Sequence, residues 1–119
     1  MIRPGTEFML RALIIDRDAI HADQLAARLR RRNLVSDYVC TPQQAIKRLK
    51  GRTEEYVLVI INVSDSSALW FRVLEKLQDI CRQLNRDSGP LFLCVSKTQQ
   101  RPEFILRLEC TGARYVYER

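Results

Sequence analysis

Continuous apolar runs with sharp polar boundaries organise the chain. Tyr56-Val57-Leu58-Val59-Ile60-Ile61 is rich in β-branched residues, is flanked by Thr53-Glu54-Glu55 and Ser64-Asp65-Ser66-Ser67, and closes on Asn62. A short run that is apolar at every position predicts a strand buried on both faces, and hence a parallel sheet with helices above and below. Residues 10–15 form a second such run, ended by Asp16-Arg17-Asp18, and residues 91–95 a third, followed by Ser96-Lys97. Residues 34–40 alternate only loosely. Ser36 and Asp37 are awkward in a strand buried on both faces, so this strand is expected at an edge. Arg114-Tyr115-Val116-Tyr117 predicts a fifth, short strand.

Helical periodicity fills the intervals. Ile20, Leu25, Ala26 and Leu29 predict an amphipathic helix over 19–32 with an arginine-rich last turn, capped by Asp16 or Asp18 and ended by Asn33. Thr41-Pro42 starts the next helix with a capping hydroxyl and a proline at the first helical position; Ala45, Ile46 and Leu49 mark its buried side and Gly51 its end. Leu69, Val73, Leu77, Ile80, Cys81 and Leu84 trace a long stripe terminated by Asp87-Ser88-Gly89-Pro90. Pro102 opens a fourth helix over 102–110, with Phe104, Ile105 and Leu108 on one face, and Thr111-Gly112-Ala113 closes it. The order βαβαβαβαβ implies an α/β domain with right-handed crossovers. Ligands of such sheets sit beyond the carboxyl ends of the strands, which makes Asn62 and Asp16 the first candidate site residues.

Composition narrows this picture. With 119 residues, 46% apolar and 29% charged, the chain suits one globular domain and no more. No apolar stretch approaches the roughly 20 residues of a membrane span and no secretory pattern is present, so a cytoplasmic location is expected. The first eight residues, with Gly5-Thr6-Glu7-Phe8 matching what adjoining cloning sites encode, read as a vector-derived tag, and the domain proper as 9–119. Cys40, Cys81, Cys94 and Cys110 lie far apart with His21 as the one possible histidine partner, which supports neither a zinc site nor a redox motif. The formal charge of +6 raises the possibility of nucleic acid, yet its densest block, Arg28 to Arg32, falls at a helix end, where cations complement the helix dipole.

The layout from Met9 onward resembles the receiver domain of bacterial two-component response regulators. Leu13-Ile14-Ile15-Asp16 looks like that family's first strand with its acidic end, Val59-Ile60-Ile61-Asn62 like the strand that ends in the phosphoacceptor, and Gly112-Ala113 before Tyr115-Val116 like the entry to strand five. The resemblance implies a flavodoxin-like (CheY-like) sheet of order 2-1-3-4-5 with the family's final helix missing. It also implies where chemistry would sit: an aspartate nucleophile after strand three, two acids after strand one for Mg²⁺, a hydroxyl after strand four and a lysine after strand five.

This chain departs from that set. Asn62 stands at the nucleophile position, and an amide cannot form an acyl phosphate. Arg17 replaces the second acid beside Asp16; a guanidinium about 4 Å from a divalent ion costs on the order of 8 kcal/mol at an effective dielectric near 20, so Mg²⁺ is not expected. Two compensations are open: Asp18 turning inward, or Arg17 pairing with Asp16 or Asp18 and imitating the missing metal charge. Ser96 or, without a gap, Val95 takes the hydroxyl position; Glu118 or Arg119 takes the lysine position; Ser96 and Lys97 are otherwise a surface pair.

The reading that follows is a non-enzymatic pseudo-receiver, a cytoplasmic module acting through a protein partner or an attached output domain. With one sheet face covered by the first helix alone, about 500 Å² of apolar surface is left, worth up to roughly 12 kcal/mol if buried. A homodimer through strand five and the first helix is therefore expected unless the family's last helix follows. Phe104, Ile105, Tyr115 and Tyr117 are candidates for an interaction face, with one of the two tyrosines expected to reach a partner. The alternatives are a nucleic-acid surface built on the basic helix end with Lys47, Arg48, Lys50 and Arg52, and a small-molecule-binding flavodoxin-like domain, for which a Gly-rich phosphate loop is lacking.

Overall fold

A computed structural model describes residues 10–52, 56–84 and 89–118. The expected tag at 1–8, the flanking Thr53-Glu54-Glu55, Asp87 and Ser88 of the terminator, and Arg119 lie outside the described residues. The chain runs β1 (Leu10–Ile15), α1 (Ala19–Arg30), β2 (Leu34–Val39), α2 (Pro42–Arg52), β3 (Tyr56–Asn62), α3 (Leu69–Leu84), β4 (Leu91–Ser96), α4 (Pro102–Cys110) and β5 (Arg114–Tyr117). All strand pairs are parallel, in the order β2-β1-β3-β4-β5. This is the flavodoxin-like sheet that the alternation predicts, with four helices among the described residues.

Strand parity sorts the core into two layers. Leu13 and Ile15, Val59 and Ile61, and Phe92 and Cys94 point to one side, where α2, α3 and α4 cover them with Ala45, Leu49, Leu74, Leu77, Phe104 and Leu108. Ile14, Ile60 and Val95 point to the other, covered by Ala22 and Leu25 of α1. On this second face Leu58 and Leu93 are half-buried, while Leu91 and Val116 stay exposed.

Local chemistry sets the boundaries. The Asp18 carboxylate accepts from the amides of Ile20 and His21 and caps α1. Thr41 Oγ1 accepts from the Gln44 amide while Gln44 Oε1 accepts from the amides of Cys40 and Thr41, a reciprocal capping box at the start of α2. Asn33 and Gly112 take positive φ values of 63° and 96° just past α1 and α4, where left-handed backbone ends a helix. Asp37 is tolerated on edge strand β2 because Arg11 (3.0 Å), Tyr56 Oη (2.5 Å) and Arg48 (3.6 Å) converge on it.

Five expectations need correction. Helix α1 ends at Arg30, not 32, and α2 runs through Gly51 to Arg52. Ile20 is 72% exposed, and His21 with Ala22 occupies the inner face. Counting back from Leu25 by three and four residues lands on Ala22 and His21, so the helical period itself excluded Ile20. Leu69 is 64% exposed, because the buried face of α3 centres on Leu74, Leu77 and Cys81 and Leu69 lies on its flank in the first turn. Phe104 belongs to the core, with its ring 5.2 Å from that of Phe71, and offers no surface to a partner.

Candidate functional site

The parity that fills the α1 face continues two residues past it. Ile14 leads to Asp16, Ile60 to Asn62 and Val116 to Glu118, so a carboxylate, an amide and a second carboxylate stand side by side at the open end of that face. His21, from the first turn of α1, lies among them with 1% of its surface exposed. Its Nδ1 is 2.5 Å from Asp16 Oδ2, and its Nε2 is 3.0 and 3.1 Å from the two oxygens of Glu118. Both ring nitrogens thus face carboxylate oxygens, and the imidazole bridges the two acids. Arg28 adds a cation, 3.3 Å from Glu118. The Glu118 amide donates to the Ser96 carbonyl at 2.8 Å, holding the residue in place beyond β5.

Asp16 is 2% exposed and fully engaged: Oδ1 accepts from the Asp18 amide (2.9 Å) and from Asn62 Nδ2 (3.0 Å), and Oδ2 from His21. These residues do not fit Mg²⁺. A hard cation needs several free oxygens, whereas both oxygens of Asp16 are engaged and the His21 ring and the Asn62 amide N–H occupy its flank. Asp18 does not turn inward. It caps α1 and lies 3.7 Å from Lys97 across the strand ends. The His21 amide, then Lys97, hold its carboxyl below the usual range. Among the described residues no ion pair joins Arg17 to Asp16 or Asp18; His21 has the place in which Arg17 was expected.

Ser96 is neither a surface residue nor part of this cluster. Its parity is that of Cys94, toward α3 and α4, and it is fully buried. Its hydroxyl donates to the Thr98 carbonyl and accepts from Gln100 Nε2 (2.9 Å), and Gln100 Oε1 accepts from Ser66 (2.6 Å). This clasp ties the loop after β4 to the loop after β3. Tyr115 packs on the core with its hydroxyl buried and without a partner among the described residues, whereas Tyr117 is 41% exposed and Ile105 on α4 is half-buried. Burial pushes the thiols of Cys81 and Cys94 up to about 11 and about 12, so both remain protonated and inert.

Beside the cluster, a cleft of about 490 Å³ opens over the ends of β1 and β3, bounded by the starts of α2 and α3. Asp16, Arg17, Asn62, Asp65 and Trp70 line it, and Trp70 Nε1 donates to Asp65 Oδ1 at 3.2 Å.

Sequence reasoning found Asp16, Asn62 and Glu118 but missed His21 as their bridge. The signal was present in the helical spacing that turns His21 inward, toward a strand end already known to be acidic.

No family model matches the sequence, and no curated protein does. Solved structures do. A two-component response regulator from Clostridium difficile superposes with a TM-score of 0.72 at 16% identity, over 92% of this chain and 83% of that one. A putative pilus assembly-related protein from Burkholderia pseudomallei gives 0.71 at 18%, over 98% and 81%. An orphan response regulator of H. pylori gives 0.68 at 20%, over 98% and 86%. No helix of the described residues is long and apolar enough to cross a membrane. With its 2-1-3-4-5 parallel sheet and these neighbours, the chain has the fold of the response-regulator receiver (CheY-like) domain.

Proposed function

We propose that this chain is a pseudo-receiver: a cytoplasmic, non-enzymatic interaction module of a bacterial two-component response regulator that works without aspartyl phosphorylation. One observation carries the reading. At the strand end where a receiver would attack phosphorus, Asn62 offers an amide that is already donating to Asp16, and Asp16 in turn is held by His21. Two carboxylates tied together by an imidazole and a guanidinium do internally what a phosphoryl group, a metal and a lysine do together in a working receiver. The cluster thus keeps one conformation of the strand ends without a covalent signal, and partners read that fixed surface.

The test is direct. After incubation with acetyl phosphate or beryllofluoride and Mg²⁺, the intact mass stays unchanged and the amide resonances of Asp16, His21 and Asn62 stay in place. A mass gain of one phosphoryl group, or broad shifts at the strand ends, overturns the reading. The partner contacts of this module include a second copy of the chain, supported by the apolar strip of Leu58, Leu91, Leu93 and Val116 left open beside α1.

A further inference from the structure

The cleft over β1 and β3 is not consumed by the polar cluster beside it. It lies where the strand order reverses, the crevice in which open α/β sheets take their ligands, and its volume falls in the range of small-molecule pockets. One wall is apolar, made by Ile15, Pro42, Leu69, Trp70 and Val73. Leu69 at 64% exposure is a large side chain that the fold itself leaves to water.

Two acceptor atoms on the lining, which also carries the donors of Arg17, Gln43 and Ser64, receive no hydrogen bond from the described residues. Asn62 gives its Nδ2 to Asp16, and its Oδ1 takes no hydrogen bond from the described residues. Asp65 receives the Ser67 amide and the Trp70 indole at Oδ1, while Oδ2 has no partner among the described residues. The other acids nearby are balanced, Asp16 by His21 and Asp18 by Lys97. Asp65 is paired with no cation among the described residues, and it holds the indole that forms the wall beside it.

We infer that this cleft binds a small aromatic ammonium compound, a primary amine carried on a single ring. The ring packs on Trp70 and Leu69, and the ammonium donates to Asp65 and to the Asn62 carbonyl oxygen. Stacking on the indole favours an aromatic ring, and pairing with an unmatched carboxylate favours the ammonium. Arg17, on the same lining, acts against it and sets a ceiling on affinity. The inference does not depend on the phosphorylation reading, since acetyl phosphate labelling and amine binding are scored separately.

Trp70 is the sole tryptophan, so its emission reports on the cleft without a label. Phenethylamine is the probe, with phenylacetate (same ring, opposite charge) and n-butylamine (same charge, no ring) as comparators. Phenethylamine shifts the Trp70 emission saturably and moves the backbone amide resonances of cleft residues. The two comparators bind at least about tenfold more weakly, or ~1.4 kcal/mol. Asp65→Asn weakens phenethylamine about tenfold and Arg17→Ala strengthens it. A non-saturating response, equal binding of phenylacetate or n-butylamine, or an unchanged affinity in Asp65→Asn overturns the proposal. The comparator series on the unaltered chain decides the matter even where a variant fails to fold.

Discussion

At the residue scale the chain is governed by an exchange of partners around Asp16. Removing His21 leaves a carboxylate that is 2% exposed without its nearest hydrogen-bonding partner, the situation in which a buried pair is costly to break. His21→Leu is therefore expected to lower the urea-unfolding free energy by about 3 kcal/mol, whereas Glu118→Gln, which keeps the shape and one acceptor near a partly solvated edge, costs about 1 kcal/mol. Asn62→Asp tests the same logic from the other side. It turns a donor at 3.0 Å from Asp16 into an acceptor of like charge, so stability falls by about 2 kcal/mol at neutral pH and acetyl phosphate still adds no phosphoryl group, as unfolding curves and intact-mass measurements will show. Asp16 and Asn62 were legible in the sequence because each ends an apolar run. The role of His21 was not, because Ile20 is the more hydrophobic neighbour and hydrophobicity was allowed to outrank helical phase. Arg17 was over-read: adjacency in sequence placed it beside Asp16, but successive residues at a strand end leave in different directions.

At the element scale the strands were the more legible part. Runs apolar on both parities fixed β1, β3 and β4, and the polar pair Ser36-Asp37 correctly marked β2 as an edge, since an edge strand can reach Arg11, Arg48 and Tyr56 with its one carboxylate. Helix faces were harder, as Ile20 and Leu69 show, because both lie in first turns, where the stripe has least context. The network on Asp37 makes a pH prediction. Burial first, then the Asp37 hydrogen bond, push the Tyr56 hydroxyl from 10.0 up to about 12. The unfolded chain releases this proton near 10 and the folded chain retains it, so the stabilisation is intact below pH 10 and is lost as pH rises toward 12. In Tyr56→Phe that segment of the stability-pH profile flattens, which alkaline unfolding curves will register. Ser96 shows where pattern reading stops: its place at a strand end was plain, but its side-chain direction depended on counting parity from Cys94 rather than from Asn62.

For the whole molecule, two sides of one sheet are finished to different degrees. Among the described residues three helices cover one side and a single helix the other, where Leu91 and Val116 remain 52% and 45% exposed. Self-association through this side is the expected outcome. In sedimentation velocity the unaltered chain shows a concentration-dependent dimer and Val116→Lys shifts it to monomer; a strictly monomeric unaltered chain at micromolar concentration counts against a second copy as the cover. The positive charge was a weaker guide to function than its size suggests, since Arg28 and Arg48 are drawn to Glu118 and Asp37 and do not form a free basic stripe. Glu118 is moored twice, by its amide to Ser96 and by its carboxylate to His21, so the four-residue strand before it cannot slip along β4 without pulling a charged group out of the interior. Amide hydrogen exchange along β5 should accordingly be slow and concerted with that of α1, and the outermost strand, ordinarily the first to fray, becomes as durable as the helix that grips its far end.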